Sequence, residues 1–339
     1  MTKTKPRFIH VGYPKCASTT LQYDIFYGHP EIYHLGWGNL STEHGWIDDE
    51  LAAAFEVDLR MAKTHQYDIT PAKNALEKHF KIFEQISSYK TIGLSWESLC
   101  FTLAYDVDPV IKASRLLELF GRETKIIFVI RNQFELIRSM YFEMVRDGLS
   151  KTFEEYLEYL YFHPYASLTG DLDYTRMVKI FGERFGLENI LIIPFESLIA
   201  DKDFYIKKMC HFVGASQIDL ALGQHNPSTD LRKLENWRLY NAKHRYNFGD
   251  ESFSFLDAHK YTSYWKREGK ALSANAAAAI EAQPKALMEV DSTFTGDTSE
   301  IKAEFSSKYT RIFTDLYGKS NQDLAGTWEL DLERYAYPM

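Results

Sequence analysis

Gly12-Tyr13-Pro14-Lys15-Cys16-Ala17-Ser18-Thr19-Thr20-Leu21 brings a lysine and a run of hydroxyls to the end of a short β-branched and aromatic stretch, Arg7 to Gly12. Helical spacing begins at Ser18, so the segment reads as a strand-to-helix turn. At such a turn the free N–H groups and the helix dipole attract an anion, and a lysine with several hydroxyls completes the coordination of a phosphate. The plainer reading of the same letters is an ordinary turn capped by Ser18. A GxxxxGK[ST] nucleotide loop would carry its lysine at the helix start. Here Lys15 instead precedes the hydroxyl run.

A second cluster follows the clearest strand of the chain. Lys125 to Ile130 (KIIFVI) is apolar on both faces, as a central parallel strand covered by helices must be. Arg131 stands at its carboxyl end, with Ser139 eight residues on. Ligands of open α/β sheets bind beyond the carboxyl ends of the strands, which makes Arg131 a ligand-facing cation. Taken singly, Arg131 could be an ion-pair partner at a helix start and Ser139 a small residue on a packed helix. Their joint spacing, downstream of a phosphate-type loop, favours a binding role.

Positioning these residues requires a definite order of elements. Strands are predicted at Arg7 to Gly12, Thr91 to Ser95, Lys125 to Ile130 and Asn189 to Pro194. Helices are predicted at Ser18 to Tyr27, Asp108 to Phe120, Thr152 to Phe162 and Leu172 to Phe185, with Phe134, Ile137, Tyr141, Met144 and Val145 marking another. Strands alternating with helices indicate an α/β fold of three layers around a central parallel sheet. After about Gly223 the strand signal fades and the chain reads as helices and loops, including an Ala-rich stretch from Ala271 to Ala282. We read a single domain: an α/β core over residues 1–222 and a mainly helical part over 223–339.

Together the two motifs resemble those of the sulfotransferase family, whose donor is 3′-phosphoadenosine 5′-phosphosulfate (PAPS). The family's 5′-phosphosulfate loop has a pattern close to PKxGTTxL. Pro14, Lys15, Thr19 and Leu21 match it, Ser18 replaces the first Thr, and Ala17 stands where Gly is common. The family's 3′-phosphate motif pairs a strand-end Arg with a Ser eight residues later, as Arg131 and Ser139 are paired, while Gln133 departs from the Pro often found there. Weaker likeness continues through Pro194 to Leu198, Phe212 to Gly214, His225 to Ser228, and from Ser320 and Asn321 to Tyr337 and Pro338.

The resemblance implies a P-loop, nucleotide-kinase-like version of the three-layer fold, with C-terminal helices contributing to the donor and acceptor sites. It implies donor binding by Gly12, Pro14, Lys15, Cys16, Ala17, Ser18, Thr19, Thr20, Arg131 and Ser139. PAPS would be the donor, PAP the product, and no metal would be required. Transfer would be in line to a hydroxyl or amine, with a carbohydrate as first choice of acceptor and a small phenol or alcohol as second. Lys15 would stabilise the leaving 5′-phosphate.

A base must also take the acceptor proton. Glu97, after the predicted strand Thr91 to Ser95, is preferred, because the family often places its base or an acceptor-contacting residue there. Glu43 lies 28 residues after Lys15, similar to the placement of the catalytic Glu in N-sulfotransferases acting on heparan chains. His65, in Lys63-Thr64-His65, looks like the KTH segment of cytosolic sulfotransferases but lies much farther from Arg131 than in that group. Each has a plain alternative as a capping or solvated residue. Asp106 and Asp108 suit helix capping before Pro109 better than a metal. Cys16 is expected to be a reactive thiol if solvent reaches it beside a cation and a helix N-terminus; the alternative is a small buried filler. Trp37, Trp46, Trp96 and Trp237 could stack on sugar faces, although most suit the core better.

Two rival readings stay open. A nucleotide phosphotransferase would need a later lysine and an acidic strand end for Mg²⁺, neither of which the sequence offers. A non-catalytic nucleotide- or carbohydrate-binding protein would be a decayed site, against which the intact Lys15, Ser18, Thr19, Arg131 and Ser139 argue.

The composition bounds all of this. With 339 residues, 45% hydrophobic and 25% charged, the chain can bury a full α/β core. A net charge of −8 means that an anionic ligand must be held by a local cluster, and it argues against a nucleic-acid partner. The three cysteines have no zinc spacing and suit a reducing compartment. Met1 to Arg7 is polar and leads into neither a signal-peptide core nor an apolar anchor, so we expect a cytoplasmic protein with no integral membrane segment.

Overall fold

Strands that are apolar on both faces must lie between two helical layers, and the innermost strands here do. A computed structural model describes residues 5–36, 45–102, 106–146, 148–165, 167–219, 223, 230–244 and 299–339. Its sheet comprises β1 (Arg7–Gly12), β2 (Ile32–His34), β3 (Thr91–Ser95), β4 (Lys125–Ile130) and β5 (Ile190–Pro194). Their order is β2-β3-β1-β4-β5, and every neighbouring pair is parallel. β1 is central. The chain leaves it to build β2 and β3 on one side, then returns to place β4 on the other, which makes the carboxyl end of β1 the topological switch point where ligands of such sheets bind. The register between β1 and β4 breaks between His10 and Gly12, just before the phosphate-type loop.

The helices are α1 (Ser18–Thr20), continued by a wider-turned segment Leu21–Tyr27, then α2 (Asp49–Ala53), α3 (Thr70–Gln85), α4 (Pro109–Phe120) and α5 (Gln133–Arg146). After these come α6 (Phe153–Phe162), α7 (Tyr174–Phe185), α8 (Phe195–Ala200), α9 (Lys202–Val213), α10 (Leu231–His244) and α11 (Ser307–Trp328). The sequence-predicted starts Asp108 and Thr152 each lie one residue early because that residue is the cap. The Asp108 carboxylate accepts from Val110 N at 2.7 Å, and Thr152 and Glu155 form a reciprocal capping box. β2, α2 and α3 have no counterpart among the elements expected from the sequence. The Ala-rich stretch 271–282 lies outside the described residues.

Among the described residues, the part after Gly223 is helical, with α10 packed on α5 and α11 on α7. The chain's end closes over the start of α5. Buried Gln133 and Asn321 exchange amide hydrogen bonds of 2.9 and 3.1 Å, and Asn321 Nδ2 also donates to Pro338 O. Gln133, which takes the place of a proline in the resemblance, therefore ties α5 to α11.

Beneath the sheet's carboxyl edge, a buried polar knot fixes the segment that follows β3. Lys112, wholly buried on α4, donates to Ser98 O, Phe101 O and Asp106 Oδ2, and Arg60 pairs with Asp106. The Asp171 carboxylate accepts from Thr102 N at 2.7 Å, and the Asp171 carbonyl accepts from the Tyr13 hydroxyl at 2.7 Å. Burial pushes the Asp171 carboxyl up to about 6, against the opposing bonds from Thr102 and the charge of Lys112.

A carboxyl held above its unfolded value lends most stability when protonated, so its contribution falls as pH rises from about 4 to about 6. Asp171→Asn removes that titration while keeping an oxygen for Thr102 N. In urea unfolding, the stability of the variant relative to the unsubstituted protein is expected to rise by about 2 kcal/mol between pH 4 and pH 7.5. A constant difference across that range would show that Asp171 does not titrate there.

Candidate active site

Three groups singled out in the sequence follow three neighbouring strands. Lys15 comes after β1, Glu97 after β3 and Arg131 after β4, and β1 lies between the other two. Strands are spaced about 4.8 Å apart in a sheet, so the loops that carry these residues are adjacent by construction.

Close approach at Gly12 brings the β3 loop onto the β1 loop. Gly12 has φ of 134°, and a Cβ there would lie 2.7 Å from Cys100 Sγ and 2.8 Å from Glu97 O. Only glycine fits both the conformation and the gap. Cys100 N donates to Val11 O and Trp96 N to His10 O, so the turn Glu97–Leu99 is pinned directly against β1.

On the opposite side the loop is held by the β4 end. Tyr13 N donates to Val129 O at 2.8 Å, and Arg131 Nη1 donates to Lys15 O at 2.7 Å. Tyr174 OH donates to Arg131 O at 2.5 Å, and its ring lies edge-on to Tyr13 at 4.9 Å. The C-terminal tail supports the same corner: Asn132 Nδ2 donates to Tyr335 O and Ala336 O, while Glu196 accepts from Asn132 N and from the Tyr337 hydroxyl. Arg131 keeps further N–H donors beyond the one given to Lys15, and its side chain is 20% exposed.

Ala17 occupies the N-cap position of α1 with φ of 59° and no side-chain cap bond. Where glycine is common in the resembling motif, Ala17 takes the left-handed conformation that glycine adopts freely. An L-residue in this region costs on the order of 1 kcal/mol. Because alanine has no side-chain acceptor, no N-cap oxygen satisfies the first-turn N–H groups, in contrast to the turn capped by Ser18 considered from sequence. Such groups are what an anion at a helix start uses. Lys15 also has positive φ, 61°.

Lys15 Nζ pairs with Glu143 Oε2 at 3.1 Å, and Arg146 Nη1 reaches the same oxygen at 3.0 Å. Burial raises the Glu143 carboxyl, but Lys15 and Arg146 outweigh it and leave it below its ordinary value. Glu143 was not among the sequence candidates. Its signal was present: Arg131, Glu135, Ser139 and Glu143 recur at steps of four, the spacing of one helix face. Since Glu143 meets Lys15, that face of α5 looks onto the loop, and partly exposed Ser139 lies on it one turn before.

Two expectations are corrected. Cys16 is fully buried, its thiol directed to Pro14 O at 3.4 Å, and burial drives its pKa well above the ordinary thiol value despite nearby Arg131. It is the small filler, not a reactive thiolate. Asp106 is no cap, being paired with Arg60 and Lys112. Of the other base candidates, His65 lies exposed in the turn before α3, and Glu43 lies outside the described residues. Trp96 and Trp237 are core residues, Trp46 packs edge-on against Trp96 at 5.6 Å, and Trp37 lies outside the described residues. No group of three or more His, Cys, Asp or Glu suited to a metal occurs among the described residues.

Residues 110–260 match the family described as the sulfotransferase domain. That span contains β4, Arg131, α5 and Ser139 and ends short of the phosphate-type loop and Glu97. Over that span the chain is similar to the sulfotransferase domain. No curated protein matches by sequence. Among solved structures, a sulfotransferase from Alicyclobacillus acidocaldarius is 19% identical, covers 80% of this chain and 99% of its own, and has a TM-score of 0.45. A mouse sulfotransferase complexed with PAP is 16% identical, covers 99% of this chain and 90% of its own, and has a TM-score of 0.41. The sulfotransferase domain from the curacin biosynthetic pathway is 14% identical over 84% of this chain and 99% of its own, with a TM-score of 0.34. Likenesses at these scores do not bear on the site. No helix among the described residues is long and apolar enough to cross a membrane.

The pairing of Lys15 with Glu143 sets up a competition with any phosphate at the loop. With the nucleotide PAP as probe, Glu143→Gln is expected to tighten binding roughly 2- to 5-fold in calorimetry, since a partly exposed ion pair contributes at most about 1 kcal/mol. Unchanged or weaker binding would show that the pair does not oppose the ligand.

Proposed function

We propose that this protein transfers the sulfuryl group of PAPS to a hydroxyl or amine of a carbohydrate, in the cytoplasm and without a metal. The observation that carries the reading is the bond from Arg131 Nη1 to Lys15 O at 2.7 Å. It joins the two anion-binding motifs at the switch point of the sheet, where one ligand bearing phosphates at both ends of a nucleoside could meet both. The fit to such a donor rests on an N-terminal turn without a side-chain cap, on Lys15, and on the α5 face that carries Ser139. The carbohydrate rests on resemblance alone, since the described tryptophans are largely packed in the core.

In the proposed reaction the acceptor oxygen or nitrogen forms a bond to sulfur as the bond from sulfur to the 5′-phosphate oxygen breaks. The acceptor proton passes to Glu97, and the electron pair of the broken bond stays on the phosphate beside Lys15. Stabilising charge that develops on the leaving oxygen is worth more in the transition state than in the ground state. Glu97 is suited to its part by place, because its backbone lies against Gly12 at the root of the loop. A kinase reading has no further support: Asp106 and Asp171 near the β3 turn are engaged in the Lys112 and Thr102 contacts.

PAP is expected to bind more tightly than AMP by roughly 10- to 150-fold, the worth of a charge-assisted contact to the 3′-phosphate, and Arg131→Ala should remove most of that preference. Equal affinity of the two nucleotides in calorimetry would eliminate the 3′-phosphate assignment. Turnover is read by mass spectrometry with PAPS and a panel of monosaccharides, chitooligosaccharides and p-nitrophenol.

With the best acceptor of that panel, Lys15→Ala and Glu97→Gln should each lower the single-turnover rate at saturating donor by about 100-fold or more. A wild-type rate in Glu97→Gln would pass the proton-accepting role to another group.

A further inference from the structure

We infer that Gln22 is the positioning residue for Glu97, holding the carboxylate of the proposed base in register with the donor loop. The inference rests on the reading of Glu97 given above. Gln22 is 5% exposed and sits in the Leu21–Tyr27 segment that continues α1 out of the loop. Its Nε2 donates to Glu97 Oε2 at 3.2 Å and approaches Ser95 O at 3.4 Å. Two oxygen acceptors on one side settle which end of the amide faces Glu97, because its own oxygen would be repelled there.

The backbone of Glu97 has little freedom of its own. Trp96 N and Cys100 N are bonded to β1 on either side of it, Gly12 presses on its carbonyl, and Lys112 binds the carbonyls of Ser98 and Phe101. Ser95 is held in turn, its hydroxyl 2.7 Å from Nδ1 of buried His10, which burial keeps neutral with a pKa lowered to about 3. What remains free is the Glu97 side chain, partly exposed at the site. A flexible carboxylate on a rigid turn needs one directional partner to select its rotamer. Gln22 provides it from the same helix whose first turn follows the phosphate-type loop. The loop's position is thereby transmitted to the base.

The test is a double-mutant cycle, which isolates the coupling between two residues in contact. Gln22→Met keeps the length of the side chain and removes the donor, with Gln22→Leu as a second variant should the first fail to fold. PAP affinity and the urea midpoint are measured beside the single-turnover rate with PAPS and the best acceptor of the panel.

Gln22→Met should lower that rate roughly 10- to 100-fold, as expected for a misplaced reacting group, with PAP affinity and KM for PAPS unchanged. In the Glu97→Gln background the same substitution should cause no further loss. Independently of activity, the Gln22 side-chain amide signal in a ¹⁵N–¹H spectrum, assigned by its absence in Gln22→Met, should move in Glu97→Gln. A wild-type rate in folded Gln22→Met while Glu97→Gln is impaired would overturn the inference and leave the function standing. Equal losses from Gln22→Met in both backgrounds would do the same. No turnover with any acceptor, together with no preference for PAP over AMP, would instead sink the function, whatever the amide signal shows.

Discussion

Gly12 has no side chain where Glu97 and Cys100 press on it, and most of the site depends on that contact. β1 is the central strand, so the loop that leaves it must pass between the segments leaving β3 and β4. Any Cβ at Gly12 would push the β3 turn away and separate Glu97 from the loop. On the other flank Arg131 holds the loop by its carbonyl at Lys15. The loop is clamped from both neighbours, and the left-handed conformations of Lys15 and Ala17 can persist because the surroundings over-determine them.

The clamp is itself supported from a distance. The polar knot of Lys112, Asp106 and Arg60 fixes the β3 turn from below, where losing one partner of a buried ion pair would leave an uncompensated charge costing about 3–5 kcal/mol. At the β4 end, support comes from the last residues of the chain, through Asn132 to Tyr335 and Ala336 and through Gln133 to Asn321. This explains how a site built at the carboxyl ends of three strands comes to depend on α11 and the tail. Their polar side chains are buried and saturated, an arrangement that fixes one geometry and tolerates few others.

Much of this was legible in the sequence, for a physical reason. β1, β3 and β4 carry apolar runs on both faces and end at Gly12, Ser95 and Ile130, so their limits agree with expectation. The residues that follow them inherit their places from the sheet. β2 is only three residues long, too short for periodicity to show. α3 was missed although its buried Ala72, Ala75, Leu76, His79 and Phe83 recur at helical spacing. The side of the chain that Cys16 faces could not be read, because a loop has no period to decide inside from outside. Its fully buried sulfur depends on the left-handed residues on either side of it.

Charge placement was the least legible feature. Glu135 and Glu143 share a face of α5 with Ser139, in line with Arg131 two residues before the helix, and the spacing by itself does not say what that face meets. In the fold that face turns toward the loop, and Glu143 meets Lys15 while Glu135 pairs with Arg138. The cations that would receive phosphates are thus balanced by carboxylates on the same helix. For a chain of net charge −8 this matters: a cluster of unpaired lysine and arginine at the end of the sheet would repel itself before any ligand arrived. The carboxylates relieve that repulsion, and under the proposed function they would do so at the expense of ligand affinity, a cost that a donor carrying several negative charges meets better than a single anion.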